Sequence, residues 1–148
     1  MKIYLVQHGN QVDENVDPEQ PLSQKGIDDC NKVAAFAEKT GIKASKMYHS
    51  VKLRAKQTAE IFAKHVGGEL NELEGLKPMD DVAPWAEKLE DGLMLVGHLP
   101  FMQKFSALLL CSDQEKKCVN FHQGGIVCLI KDDEGNWSID FMITPEIL

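Results

Sequence analysis

The sequence predicts an α/β fold, a three-layer α/β/α sandwich whose mostly parallel sheet carries an antiparallel hairpin at its C-terminal end. Short apolar runs of β-forming residues, KIYLV at residues 2–6, KMYHS at 46–50 and GLMLVGH at 92–98, alternate with helical patterns. Such alternation is typical of βα units and of parallel sheets. The last two apolar runs, IVCLI and WSIDFMI, flank a turn through residues 133–136 and predict the hairpin.

The helices of the predicted sandwich follow from helical spacing and from end signals. Ser23 is a suitable N-cap for the first helix, and Gly41 is a suitable residue to close it. The face that this helix would bury consists of Ile27, Cys30, Ala34 and Ala37. Further helices are predicted over residues 51–66, 84–89 and 100–110, whereas residues 69–82 read as a loop with at most one short strand.

Length and composition predict one domain over residues 1–148, with a hydrophobic content of 43% and a charged content of 26%. No apolar run approaches the roughly 20 residues of a membrane span, and the N-terminal run lacks signal-peptide features, so a cytoplasmic location is expected. The net charge of −7 argues against a nucleic-acid partner. The cysteines have no metal-ligand spacing, and we expect all of them to be reduced core thiols: Cys30, Cys111, Cys118 and Cys128.

Three polar residues stand where predicted strands end: His8, Ser50 and His98. In open α/β sheets the ligand crevice lies beyond the carboxyl ends of the strands, so these residues should converge. An isolated His-Gly pair is more often a core or surface histidine beside a turn, but here a Gly-His pair at a second strand end repeats the pattern. Neutral imidazole is a nucleophile near pH 7, so His8 could attack phosphorus while His98 donates to the phosphoryl oxygens.

The only arginine of the chain, Arg54, lies in KLRAKQTAE, and the other 15 of the 16 basic residues are lysines. The planar guanidinium suits bidentate phosphate contacts, whereas the lysine ammonium is a point charge. The N-terminus of the helix after Leu99-Pro100 adds backbone N–H groups that favour anions. Together these features predict a phosphate-handling site.

The ordered segments LVQHG, PLSQKG, HSVKLRAKQTAE and LVGHLP resemble the histidine phosphatase superfamily, which has the phosphoglycerate-mutase-like fold. The short chain, the missing cap insertion and the GHLP segment are most similar to SixA-type phosphohistidine phosphatases. The resemblance implies that His8 is the phosphorylated nucleophile and that Arg54 and His98 bind phosphate. It also implies a phosphorylated protein substrate, such as a histidine-containing phosphotransfer domain, and chemistry without a metal or cofactor.

Gln7 departs from this family pattern, because it occupies the position of the motif arginine before the histidine. Its amide gives a phosphoryl oxygen one neutral hydrogen bond in place of two charge-assisted ones, and losing a transition-state donor costs on the order of 100- to 1000-fold in rate. Three functions stay open: a weakened phosphohistidine phosphatase, a pseudophosphatase that binds phosphate or a phosphoprotein, and a small-molecule phosphomonoesterase.

Several secondary assignments stay open as well. Ser50 and Asn10 are candidate phosphate contacts, although Ser50 could equally cap a helix. Lys52 or Lys56 could replace the missing charge or be solvated surface. The candidate general acids stand in no motif, and surface charge is the simpler interpretation for each: Glu72, Glu74, Asp80 and Asp81. Of the remaining histidines, His49 and His65 read as structural, and His122 could line the crevice.

Overall fold

One six-stranded sheet lies at the centre of the computed structural model, which describes residues 1–148. Its strands are β1 (Lys2–Gln7), β2 (Lys46–His49), β3 (Glu69–Glu72), β4 (Leu93–Gly97), β5 (Ile126–Lys131) and β6 (Trp137–Ile143). The α-helices are α1 (Gln24–Lys39), α2 (Leu53–Val66) and α3 (Phe101–Cys111). Short 3₁₀ helices span Ala83–Glu87 and Pro145–Ile147.

The strands follow the order β3-β2-β4-β1-β5-β6 across the sheet. The pairings of β2 with β3, β2 with β4 and β1 with β4 are parallel. The pairings of β1 with β5 and β5 with β6 are antiparallel. The mostly parallel sheet with a C-terminal hairpin, predicted from the alternation of patterns, is therefore confirmed. Since β1, β2 and β4 are parallel neighbours, their carboxyl ends share one edge of the sheet.

Every residue of β1 from Ile3 to Val6 is buried, which requires that both faces of the sheet are covered. Side chains alternate between the faces of a strand, and the packing follows this rule. Tyr4 and Val6 belong to the core cluster that includes residues of α1 and α2, while Ile3 and Leu5 belong to the cluster that includes residues of α3. The result is the predicted three-layer sandwich.

The start and the end of α1 agree with the local signals. The Ser23 hydroxyl accepts a hydrogen bond from the Gly26 N–H at 3.1 Å, which is the expected N-cap contact. Gly41 follows the helix with φ +85°, a conformation that glycine adopts at low cost. The buried face includes Cys30, Ala34 and Ala37, as predicted.

Two expectations from the sequence are wrong. The helix expected over residues 84–89 is a short 3₁₀ helix at Ala83–Glu87. The cysteines are not all core thiols: Cys30 and Cys128 are buried, whereas Cys111 and Cys118 are exposed. Cys111 ends α3, and Cys118 lies in the connection that follows it. This connection is rich in charged residues, and most of its side chains face solvent. None of the helices combines the length and the apolar character that a membrane crossing requires.

Candidate active site

The ends of β1, β2 and β4 bring three of the predicted residues to one edge of the sheet. The His8 N–H donates to the Gly97 carbonyl at 2.9 Å, and the Ser50 N–H donates to the Val96 carbonyl at 3.2 Å. The side chain of each predicted residue is nearly or fully buried: His8, Ser50 and His98. The parallel pairing of the strands thus produces the convergence that the sequence predicted.

His8 is held in one tautomer. Its Nδ1 lies 2.7 Å from the Gly9 carbonyl oxygen, and because a carbonyl only accepts, Nδ1 carries the proton and Nε2 is the basic nitrogen. Nε2 has no hydrogen-bond partner in the protein. Burial, with a smaller contribution from the charge of Arg54, lowers the pKa of His8 to about 4 against the opposing effect of the Gly9 carbonyl. His8 is therefore a neutral imidazole at pH 7 with a free nucleophilic nitrogen.

His98 lies beside His8, with 5.0 Å between the two ring centroids. The Ser50 hydroxyl is 2.6 Å from His98 Nε2, and it also accepts a hydrogen bond from the Lys52 N–H at 3.2 Å. The hydroxyl proton of Ser50 has no other acceptor, so it is donated to Nε2, which leaves the His98 proton on Nδ1. That Nδ1 is buried and has no partner. It is a free donor in the wall of the site.

The electrostatics keep His98 neutral as well. Burial is the largest cause, followed by the neighbouring His8, Arg54 and Lys52, and together they lower the pKa of His98 to about 3. The fixed positive charge of the site is thus the Arg54 guanidinium, with the half-buried Lys52 nearby. An anion in the site would favour the protonated forms of both histidines.

Thr58 connects the His8 loop to the helix that carries Arg54. Its buried hydroxyl accepts a hydrogen bond from the Gly9 N–H at 3.0 Å and donates one to the Arg54 carbonyl at 2.8 Å. Thr58 was not among the site residues predicted from the sequence. A hydroxyl on the buried face, one turn after the sole arginine, was the signal that could have identified it.

Gly9 is required by close packing. A Cβ at this position would lie 2.7 Å from Cys30 Sγ and 3.0 Å from the Gly26 carbonyl oxygen. Gly26 is still more constrained, since its Cβ would lie 2.1 Å from the Asn10 carbonyl oxygen. These two glycines let the loop after β1 lie directly against α1. The glycine that follows the histidine thus has a steric explanation.

Gln7 lies at the end of β1 with 9% of its surface exposed. Its Oε1 is buried without a partner, as are Arg54 Nε and His98 Nδ1. Buried polar atoms in folded proteins nearly always have hydrogen-bond partners. Three such atoms on residues around one crevice indicate a site built for a polar ligand.

Asn10 is held by other side chains of the protein. Its Oδ1 accepts a hydrogen bond from the Ser23 hydroxyl at 2.6 Å, and its Nδ2 donates to Gln123 Oε1 at 3.1 Å. Gln123 also donates to Gln11 at 3.2 Å and pairs through its backbone with Gln7. A contact between Asn10 and phosphate therefore stays a prediction. Gln123 is a crevice residue that the sequence analysis missed, since it comes from a loop more than 100 residues away.

The four candidate general acids make no hydrogen bond or ion pair with His8, Arg54 or His98, although two of them contact Lys77 at the edge of the groove beside Arg54. Asp80 and Asp81 accept hydrogen bonds from nearby backbone N–H groups, and Glu74 forms an ion pair with Lys77 at 3.8 Å. Glu72 is exposed at the end of β3. The assignment of each to surface charge agrees with these contacts.

An open groove of about 480 Å³ adjoins Arg54. Its wall combines cations with carboxylates, and its charged members are Glu14, Glu19, Lys52, Arg54 and Lys77. Of the two lysines that could supply a replacement charge, Lys52 lies in this groove whereas Lys56 is exposed and lies outside it. A ligand can therefore approach the Arg54 guanidinium through an open groove with a mostly polar wall.

The remaining histidines make contacts of other kinds. His49 is buried and bonds through Nδ1 to the Ser50 carbonyl, and His65 Nδ1 donates a hydrogen bond to a carboxylate oxygen of Glu38 at 2.7 Å. His122 Nδ1 lies 3.2 Å from a carboxylate oxygen of Glu146, while the next residue, Gln123, reaches Asn10. No group of three or more His, Cys, Asp or Glu side chains is arranged to hold a metal ion.

Comparison with solved structures shows the same fold in known phosphatases. The protein histidine phosphatase SixA in complex with tungstate superposes with a TM-score of 0.83 at 22% identity, over 99% of both chains. The phosphoserine phosphatase of Entamoeba histolytica superposes with a TM-score of 0.71 at 19% identity, over 97% of this chain and 96% of that one. These likenesses confirm the predicted phosphoglycerate-mutase-like, SixA-like fold.

Two sequence comparisons give the family. An uncharacterized protein of Picosynechococcus sp. is 30% identical over 140 aligned residues, which cover 87% of this chain and 84% of the relative. The family model described as histidine phosphatase superfamily (branch 1) matches residues 3–89, which include His8, Ser50 and Arg54. His98 lies beyond the match, and it is the fold that brings it to the same edge of the sheet. This chain therefore belongs to the histidine phosphatase superfamily.

Proposed function

We propose that this protein is a phosphohistidine phosphatase that works through a phosphorylated His8. The observation that carries the proposal is the state of His8, whose Nδ1 is fixed on the Gly9 carbonyl while Nε2 has no partner in the protein, with the His98 ring alongside and the charge of Arg54 close enough to act on it. A pKa of about 4 keeps this nitrogen unprotonated at pH 7. A pure binding site has no need of a nucleophile prepared in this way.

Two displacements at phosphorus complete the proposed reaction. In the first, His8 Nε2 attacks phosphorus, a P–N bond to His8 forms, and the P–N bond of the substrate breaks. The substrate imidazole leaves as a neutral molecule when its other nitrogen is already protonated. In the second, water attacks phosphorus, the bond to His8 breaks, and inorganic phosphate leaves. His98 Nδ1–H and the Arg54 guanidinium stabilise the charge that develops on the phosphoryl oxygens in both steps.

The choice of phosphohistidine rests on the leaving group. A phosphate ester needs an acid to protonate the departing oxygen, and none of the four candidate carboxylates bonds to His8, Arg54 or His98. A phosphoramidate needs less help, because the departing imidazole is a moderate base. The open groove reaches Arg54 but is not lined by His8 or His98. An open polar surface next to the site suits a protein substrate such as a histidine-containing phosphotransfer domain better than a small metabolite, which an enclosed pocket would hold.

A second candidate, a pseudophosphatase that binds a phosphoprotein without turnover, is favoured by Gln7. The buried glutamine ends β1 directly before His8, and it removes two charge-assisted hydrogen bonds from the position of the motif arginine. Arg54 and His98 remain as hydrogen-bond donors for a phosphoryl group. The two candidates differ in one respect, namely whether a phosphoryl group ever becomes bonded to His8.

Release of phosphate from a chemically phosphorylated phosphotransfer domain distinguishes the two candidates. We expect the unmodified chain to turn over and His8→Ala to abolish turnover, while His65→Ala, a histidine that pairs with Glu38, retains it. Gln7→Arg should raise the rate by about tenfold or more, and Gln7→Met, of similar volume, should not. Rapid quenching should reveal a chain heavier by one phosphoryl group.

Equal inactivity of the unmodified chain and His8→Ala, together with binding of inorganic phosphate that Arg54→Met removes, would establish the binding module instead. Faster hydrolysis of a phosphoserine or sugar phosphate than of the phosphohistidine protein would contradict the proposed substrate class. In that case the proposed phosphatase activity through His8 would be supported, and only the phosphohistidine substrate would be wrong.

A further inference from the structure

The two exposed cysteines are neighbours in space. The sulfur atoms of Cys111 and Cys118 lie 3.7 Å apart, although neither takes part in the site described above. Cys111 is the last residue of α3, and Cys118 lies in the connection to β5. The other two cysteines, Cys30 and Cys128, are fully buried. The chain therefore presents one accessible pair of thiols and two inaccessible single ones.

Only a small movement of the two sulfur atoms is needed before they can form a bond. A disulfide has an S–S distance of about 2.05 Å, so the sulfurs must approach by roughly 1.6 Å. The connection can supply this movement, because the backbone N–H groups of residues 117–121 make no hydrogen bonds in the protein. Cys118 is exposed, and the chain is held nearby through the buried side chains of Val119 and Phe121. α3, by contrast, holds Cys111 in place.

Both thiols are open to a small disulfide in solution, since Cys111 and Cys118 are exposed. The charged side chains of the connection balance, because the exposed Lys116 and Lys117 are accompanied by the exposed Asp113 and Glu115. Burial and the neighbouring Cys111 thiol raise the pKa of Cys118. Once one sulfur has reacted, the second thiol is already in contact with it.

We propose that Cys111 and Cys118 form a reversible intramolecular disulfide by exchange with a low-molecular-weight disulfide such as oxidised glutathione. The first thiolate attacks the small disulfide, whose S–S bond breaks and releases one small thiol. The second thiolate then attacks the mixed disulfide and releases the other small thiol. The protein loses two protons and two electrons, and the small disulfide takes them up and is reduced to two thiols. The inference is independent of the proposed phosphatase function.

Incubation of the folded protein with oxidised glutathione tests the proposal through the intact mass and through alkylation. The mass should fall by two hydrogen atoms, one peptide should join Cys111 to Cys118, and dithiothreitol should restore both thiols. Cys30 and Cys128 serve as internal controls, because they should react with maleimide only after denaturation.

The single variants Cys111→Ser and Cys118→Ser should stop at a glutathione adduct. Both replace exposed side chains, so the variants should keep the fold. The adduct should persist at least roughly tenfold longer in either variant than in the unmodified chain, where the second thiol removes it. Lasting glutathione adducts on the unmodified chain, or disulfides that join two chains, would overturn the proposal.

Discussion

Replacement of Ser50 with alanine should weaken phosphate binding through a change in His98. The hydroxyl of Ser50 donates to His98 Nε2 and accepts from the Lys52 N–H, and both Ser50 and His98 are buried. Without the hydroxyl, nothing in the protein fixes the proton of His98 on Nδ1. The ring can then carry its proton on Nε2, and Nδ1 would present a lone pair to the phosphoryl oxygens.

The magnitude follows from the contacts that are lost. A buried hydrogen bond contributes about 0.5–1.5 kcal/mol, and a buried group left without a partner costs about 1–3 kcal/mol. If the loss of the preferred His98 tautomer weakens phosphate binding by about 1–2 kcal/mol, the dissociation constant of inorganic phosphate should rise roughly 5- to 30-fold. The free energy of unfolding should fall by a similar amount, because the Lys52 N–H also loses its acceptor.

Calorimetric titration with inorganic phosphate measures the affinity, and nitrogen NMR shifts of the His98 ring report its tautomer. Ser106→Ala is the matched control, since Ser106 is also fully buried and bonds only to the Gln103 carbonyl of its own helix at 3.0 Å. The control should lose stability without losing affinity. Unchanged phosphate affinity in Ser50→Ala, or a His98 tautomer identical to that of the unmodified chain, would refute the reasoning.

Thr58→Val leaves the Gly9 N–H without its acceptor, so the free energy of unfolding in urea should fall by about 1–3 kcal/mol, and a loss below about 0.5 kcal/mol would contradict the connecting role. Because the folded-state pKa values of His8 and His98 lie below 6.5, the unfolded chain binds more protons than the folded chain as the pH falls. Stability should therefore be lost from pH 6.5 down through about 4 for His8 and about 3 for His98, by up to about 1.4 kcal/mol per pH unit per histidine, with a shallower slope in His8→Asn. Binding of the sulfate dianion raises the pKa of His98, so calorimetry in buffers of different ionisation enthalpy should detect proton uptake and tighter binding at lower pH. In Gln7→Arg a fixed charge should reduce that uptake, and equal uptake in both proteins would count against the electrostatic account.

Local signals were sufficient to predict the elements that position the site. The KIYLV run predicted β1, the Ser23 cap and Gly41 predicted α1, and the two alternating runs predicted the hairpin. Convergence of His8, Ser50 and His98 was also predictable, because it depends only on parallel strands sharing an edge. These features depend on short-range preferences and on one topological rule.

Contacts between distant segments were not predictable in the same way. Gln123 reaches Asn10 from a loop 113 residues away, and nothing in the local sequence of either residue indicates the contact. The Cys111–Cys118 pair spans only seven residues, yet its contact depends on the path of a connection without regular structure. The 3₁₀ helix at Ala83–Glu87 was expected as an α-helix, since proline is compatible with the first turn of both.

The charge of the site bears on what Gln7 does under the proposed function. At pH 7 both histidines are neutral, so Arg54 and the nearby Lys52 supply the positive charge. A substrate with a poor leaving group builds up more negative charge in the transition state and depends more on fixed cations. Phosphohistidine, whose imidazole leaves readily when protonated, depends on them less. Loss of the motif arginine should therefore penalise phosphate esters more than phosphoramidates, so that Gln7 narrows the range of substrates more than it slows the preferred reaction.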